Sequence, residues 1–341
     1  MSDTLKAKWT LLASSDRLKR SSQCLSIVDS KAFIFGGEVV PRQPVDNQVD
    51  VVDFVNGTEA SVKTSTIPVP DKAPSPSPRV GATTIAIKDS IYLFSGRGGL
   101  AMEPIEEHGA IWRYSSSSSS WDCIAPSDPS APYPAGRSYH TMTSDGQFTL
   151  FVHAGCPAKG RLSDLWAFNI EQRKWTQLPD APGPARGGSS VTYYSGTLYR
   201  MNGFDGAKEL GGAIDMLNIK SGSWMTTSFV PDNIHAPEPR SVSSLCIAEG
   251  YIVILFGERD PSALGHAGAG KMLGDVWAYS VQTNKWFRVE WTGEGPNPRG
   301  WFAADVVQKE DGKSAIIVHG GLAEDNSRLG DVWRLDLTQG G

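Results

Sequence analysis

The chain has 341 residues, a formal net charge of −5, 36 Gly, 22 Pro and 11 Trp, and 20% of its residues are charged. That balance excludes a broad nucleic-acid-binding face or a polybasic membrane anchor, and no apolar stretch reaches the ~18 residues that a membrane span needs. The aromatic content speaks against disorder and the Gly and Pro content against a helical bundle, which leaves an all-β chain rich in turns. Cys24, Cys123, Cys156 and Cys246 lie far apart without a CxxC spacing. With no apolar signal region at the N-terminus, this predicts reduced thiols in a cytoplasmic protein.

One pattern recurs six times along the chain. Each unit opens with an arginine: Arg20, Arg79, Arg137, Arg186, Arg240 and Arg299. Two apolar stretches follow, the second ending in glycine at Gly37, Gly96, Gly155, Gly203, Gly257 and Gly321. The arginine-to-glycine offset is 17 or 18 in the first five units and 22 in the last. A variable loop leads to a third strand, at 51–54, 111–114, 164–168, 215–217, 275–279 and 331–335. A fourth strand carries Trp121, Trp175, Trp224 or Trp286, each seven residues beyond the last apolar residue of the third strand. The same slot holds Ser61 in the first unit and falls past Gly341 in the last. Trp9 fits the missing slot, so the N-terminal strand is expected to complete the last unit and close the ring. The serine run 115–120 then reads as a hairpin and the proline-rich stretch 68–78 as a connection, so residues 1–341 form a single domain. Four short strands per unit is the sign of a six-bladed β-propeller, and the paired glycines, aromatic strand and spaced Trp resemble the kelch family.

In an up-and-down blade the second-to-third-strand loops share a face with the blade connections. That face carries the six arginines, which are expected to be structural, bonding loop carbonyls and carboxylates. It also carries the residues after each glycine: Glu38, Arg97, Cys156, Phe204, Glu258 and Leu322. Blades 2 and 5 are opposed, so Arg97 is expected to face Glu258 across the mouth. Two residues beyond each arginine stand Ser22, Gly81, Tyr139, Gly188, Val242 and Trp301. Tyr139 and Trp301, from opposed blades 3 and 6, are expected to wall a pocket that also holds Glu38 and Phe204. The blade-5 loop places Glu258, Asp260 and His266 on one glycine-rich stretch, a set that can ligate a divalent iron or zinc ion given further donors.

Phe35-Gly36-Gly37-Glu38, Gly96-Arg97, Arg137-Ser138-Tyr139-His140, Arg186-Gly187-Gly188, the blade-5 loop and Pro298-Arg299-Gly300-Trp301 are similar, end to end, to the plant specifier proteins (epithiospecifier, nitrile-specifier and thiocyanate-forming proteins). The resemblance implies a redox-neutral conversion of a small, unstable secondary metabolite, of lyase, isomerase or cyclase type. It also implies ferrous iron held by Glu258 and His266, with Arg97 and Trp301 contacting substrate. The family's middle iron ligand, an Asp, is here Ser262. Either iron binds through Glu258, Asp260 and His266, or Glu258 and His266 serve as general acid and base without metal. The expected partner is a small-molecule substrate, with no nucleic acid and no membrane, and the oligomeric state is left open. Two alternatives stand beside this reading: a kelch protein–protein interaction scaffold and a lectin-like carbohydrate binder on the same face.

Overall fold

The computed structural model describes residues 4–54, 62–265 and 268–338. Strands dominate, and no helix is long and apolar enough to cross a membrane. Four four-stranded antiparallel meanders and one eight-stranded sheet account for the six repeats. The larger sheet is two meanders joined where Leu5–Ser14 pairs in parallel with Lys285–Trp291. The innermost strands are Cys24–Val28, Thr83–Ile87, Thr141–Ser144, Ser190–Tyr194, Ser244–Ala248 and Ala303–Gln308. Each touches the next and the last touches the first, which closes a six-bladed propeller around an axial channel.

The N-terminal strand Leu5–Ser14 lies antiparallel to Asp331–Thr338, with Trp9 opposite Leu335. The chain's first strand therefore completes its last blade, and Trp9 is stacked on Phe256 of blade 5 with ring centroids 5.9 Å apart. The seven-residue spacing is a cross-strand register. Tyr114 faces Trp121, Phe168 faces Trp175, Leu217 faces Trp224 and Tyr279 faces Trp286 across their hairpins. Trp121 reaches Phe35 of blade 1 at 5.2 Å, and Trp175 reaches Phe94 of blade 2 at 5.5 Å. These indoles thus glue one blade to the previous one, burying large apolar area at each seam. Ser61 lies outside the described residues. The serine run is the turn between Ile111–Ser115 and Ser120–Ile124, and residues 68–78 connect blade 1 to blade 2. All four cysteines are free thiols.

Glycine is demanded at one position per unit. Gly257 has φ +114°, and a Cβ there would stand 2.8 Å from the Ser241 carbonyl oxygen and 2.9 Å from the Ser243 Cβ. Both the left-handed backbone and the close approach exclude any other residue without distortion.

Candidate active site at the arginine-bearing mouth

The arginines build the collar of this face. Each donates from Nη1 to the carbonyl that precedes its own blade's final glycine: Arg79 to Ser95, Arg137 to Ala154, Arg186 to Asn202, Arg240 to Phe256 and Arg299 to Gly320 at 2.9–3.0 Å, and Arg20 to Gly36 at 3.3 Å. Each of those glycines donates its N–H, at 2.9 Å, to the carbonyl of the next blade's arginine, all the way round to Gly321 and Arg20. Five arginines also hold a carboxylate: Asp50, Glu107, Asp164, Asp275 and Asp331 pair with Arg20, Arg79, Arg137, Arg240 and Arg299. Indole N–H groups of Trp166, Trp277 and Trp333 donate to three of those aspartates at 2.7–2.8 Å. The structural role expected of these arginines is what the geometry shows.

A second belt lies two residues on. Ser22, Gly81, Tyr139, Gly188, Val242 and Trp301 all have positive φ, between 46° and 60°. Each donates its N–H to the carbonyl of its counterpart in the preceding blade, at 2.7–3.2 Å, closing a six-membered ring. β-Branched and bulky residues seldom adopt this conformation, so the belt holds Val242, Tyr139 and Trp301 in place against their local preference. Tyr139 and Trp301 come from opposed blades, yet their rings meet edge-to-face with centroids 5.1 Å apart. They therefore span the axis as a floor rather than standing apart as two walls. Gly81 makes this possible, because a Cβ there would sit 2.8 Å from the Tyr139 ring. Below the floor the channel has a volume of about 420 Å³ and is lined by the innermost strands of all six blades, with Ser and Thr beside Ile, Leu, Val and Met.

Above the floor, Glu258 is 5% exposed and accepts the Gly270 N–H at 2.7 Å. Burial lifts its pKa to about 7; the Gly270 N–H and the Trp301 side chain pull it back, and the nearby Glu209 charge adds to the rise. A buried carboxyl poised near neutrality is what general acid–base chemistry requires. Glu209 is itself raised, by burial first and then by Asp260. Glu38 is 7% exposed, accepts the Arg42 N–H at 2.7 Å and lies 3.6 Å from Arg328. Burial raises it above the usual carboxylate range. The Tyr139 hydroxyl is also raised, by burial and then by the Glu38 charge, with Arg97 pulling the other way.

Arg97 makes no ion pair with Glu258 across the mouth. Its guanidinium donates to Ser138 Oγ at 3.2 Å and to the Pro157 carbonyl at 3.3 Å. Among the described residues no carboxylate lies within ion-pair distance of it. Arg161 lies over the Phe204 ring, 4.9 Å from its centroid. Arg97 and Arg161 both act on the Cys156 thiol, but burial outweighs them and pushes that thiol up, which argues against a reactive thiolate. The mouth is thus cationic over blades 2 and 3 and carboxyl-bearing over blades 1, 4 and 5. Arg161 and Glu209 were not legible beforehand, because they sit in the variable loops where the repeat gives no register.

Glu258 faces inward, whereas the Asp260 carboxylate is 77% exposed beside Arg259. Asp260 has φ +53°, which turns the chain outward directly after the strand Tyr251–Arg259. The Ser262 hydroxyl accepts the Leu264 N–H at 3.1 Å. His266 lies outside the described residues. Among the described residues no three His, Cys, Asp or Glu side chains gather as a metal site. Neither Asp260 nor Ser262 joins Glu258 in such a group among the described residues.

A family profile, the KLHDC2/KLHL20/DRC7 Kelch-repeats domain, matches residues 22–257. The chain belongs to the kelch-repeat family. It is 28% identical over 360 aligned residues to the N-(sulfonatooxy)prop-2-enimidothioate sulfolyase of Thlaspi arvense, covering 98% of both chains. It is also 28% identical over 204 residues to Host cell factor homolog hcf-1 of Caenorhabditis elegans, covering 55% of this chain and 25% of that protein. Among solved structures it superposes on YjhT with a TM-score of 0.71 at 14% identity, covering 96% of this chain and all of the other, which supports the propeller fold alone. The kelch chain thus has a specifier-type relative that matches it from end to end.

Proposed function

We propose that this kelch protein steers the breakdown of a small, unstable anionic metabolite at its arginine-bearing mouth by general acid–base chemistry centred on Glu258. The observation that carries this reading is the buried Glu258 carboxyl with its pKa near 7, set against the Trp301 side chain. In its neutral form Glu258 donates a proton to a substrate atom as a bond to that atom breaks, and the resulting carboxylate recovers a proton from the intermediate or from water. Arg97, lacking a carboxylate partner among the described residues, offers charge to an anionic or departing group. The Tyr139–Trp301 floor keeps the substrate out of the axial channel and gives it an apolar surface to rest on. The full-length likeness to a sulfolyase supports a substrate of N-sulfonatooxy imidothioate type. This reading is carried by Glu258 and Arg97 and routes no step through a metal ion.

The test is product analysis of N-(sulfonatooxy)prop-2-enimidothioate decay with and without the protein. Wild type is expected to shift the product distribution, and Glu258→Gln to return it to the protein-free pattern at a thermal stability no lower than that of wild type. A variant indistinguishable from wild type removes Glu258 from the reaction.

A further inference from the structure

The six blades provide their own controls, and one of them breaks the collar. The collar carboxylate sits four residues before the third-strand residue that faces the Trp slot. That position is Asp50, Asp164, Asp275 and Asp331 in blades 1, 3, 5 and 6. In blade 2 it is Ala110, and Glu107 from the preceding loop replaces the missing acid, holding Arg79 through both oxygens at 3.0 and 3.1 Å. In blade 4 it is Ala213. The nearest acid in sequence, Asp215, stands two residues on, where blades 2, 3, 5 and 6 have Trp. Asp215 is committed elsewhere: Arg200 binds it through Nε at 3.1 Å and through Nη2, and Thr226 Oγ1 donates to it at 2.6 Å.

Arg186 is consequently the one collar arginine without a carboxylate among the described residues. It is 6% exposed. Its Nε and Nη1 donate to the Pro184 and Asn202 carbonyls at 3.1 and 2.9 Å, but Nη2 has no acceptor among the described residues. In blades 3, 5 and 6 the same Nη2 donates to an aspartate oxygen at 2.8–2.9 Å. Gly183 borders this edge, where even a Cβ would come within 3.3 Å of Nη2. The sister carboxylates keep 1–19% of their side-chain exposure, so the position is within reach of solvent. A nearly buried guanidinium with a free donor edge and no carboxylate in direct contact, only the more distant charges of Asp215 and Asp205, is costly, and a planar or tetrahedral oxyanion matches its fork.

We propose that blade 4 binds a small oxyanion (a carboxylate group, phosphate or sulfate) at Arg186, in the position that an acidic side chain fills in the other five blades. The anion completes the collar and locks the seam between blades 3 and 4, where Gly155 donates to the Arg186 carbonyl at 2.9 Å. This site is separate from the Glu258 mouth chemistry and does not depend on it.

The test compares wild type with Ala213→Asp, which supplies the acid that the repeat calls for. Thermal unfolding is followed in increasing phosphate, sulfate or acetate at constant ionic strength, with calorimetric titration of phosphate alongside. Wild-type Tm is expected to rise by about 2 °C over this range, growing with the logarithm of anion concentration above Kd as linkage to a folded-state site requires. Ala213→Asp is expected to start higher and stay flat, and whether phosphate or acetate acts at lower concentration decides between tetrahedral and carboxylate ligands. Equal slopes in both chains mean general salt exclusion and overturn the proposal. So does a flat wild-type curve up to 50 mM anion, a concentration of order fifty times a ~1 mM Kd. Should Ala213→Asp fail to fold, Arg186→Gln serves in the calorimetric arm. Loss of phosphate binding supports the site, and retained binding refutes it. Glu258→Gln is expected to bind phosphate as wild type does.

Discussion

The arginine collar and the ring of residues just beyond its glycines are neighbours on one face, yet they behave in opposite ways. Collar positions repeat in all six blades, are buried, and bond the same atoms at nearly the same distances. The residues that follow each glycine are Glu38, Arg97, Cys156, Phe204, Glu258 and Leu322, with no common chemistry. Closing a ring of six blades requires the first set and places no demand on the second. In a propeller, then, repetition marks what holds the ring, and departure from repetition marks where a ligand is met.

The sharpest way to break this comparison is to remove a collar member. Arg240 is fully buried and pairs with Asp275 at 2.7 Å. Arg240→Ala strands that carboxylate, and a loss of about 3–5 kcal/mol is expected in urea unfolding. Arg97→Ala, at a mouth position, is expected to cost less than ~1 kcal/mol in the same measurement while weakening substrate binding. Equal losses for the two variants would erase the distinction between collar and mouth.

A smaller effect is expected from Gly257→Ala. The new Cβ meets the Ser241 carbonyl at 2.8 Å in a backbone held at φ +114°, which costs of order 1–3 kcal/mol. Gly250→Ala, a turn glycine with nothing within 4 Å of its Cβ position, provides the matched control for the positive φ alone.

The smallest and broadest effect is on pH dependence. Burial holds His140 and His319 down to about 3 and His153 well below 6.5, so all three are neutral in the folded state. Their contribution is fully present above the unfolded value of about 6.5 and is lost as pH falls below it, because the unfolded chain takes up the protons. Glu258, at about 7, and Asp305, raised by burial to about 6, carry the opposite sign. Their contribution is lost as pH rises from the unfolded range near 4 through those values. Glu38 and Glu209, also raised by burial, add to the carboxyl side, so the histidine part is read by difference: the urea midpoint of wild type is expected to fall more steeply than that of His319→Gln as pH drops from 6.5 towards 4.5. Equal pH slopes for the two chains would show that His319 is not buried neutral. Glu258→Gln is expected to raise the midpoint above pH 7, where the wild-type charge is costly.

Much of the fold was legible because each signal is repeated: a seven-residue spacing is a hairpin register, and a displaced Trp9 reveals a displaced strand. The site was legible only in part. Sequence placed Tyr139 and Trp301 on opposed blades, but whether they meet depends on the channel radius, which no residue spells out. Arg97 and Glu258 were placed on opposed blades too, yet Ser138 and Pro157 hold the guanidinium. The outward turn at Asp260 and the commitment of Asp215 to Arg200 are backbone and register effects of one or two residues. They reverse a side chain's face without altering the motif that announced it.

The most direct measurement is the carboxyl titration of Glu258 by NMR on chain labelled with ¹³C at glutamate Cδ, with Glu258→Gln for assignment. The expected result is a resonance that titrates near pH 7 and is absent from the variant. If every glutamate carboxyl instead titrates below about 5.5, Glu258 is an ordinary ionised carboxylate at neutral pH, and the acid–base role placed on it is wrong.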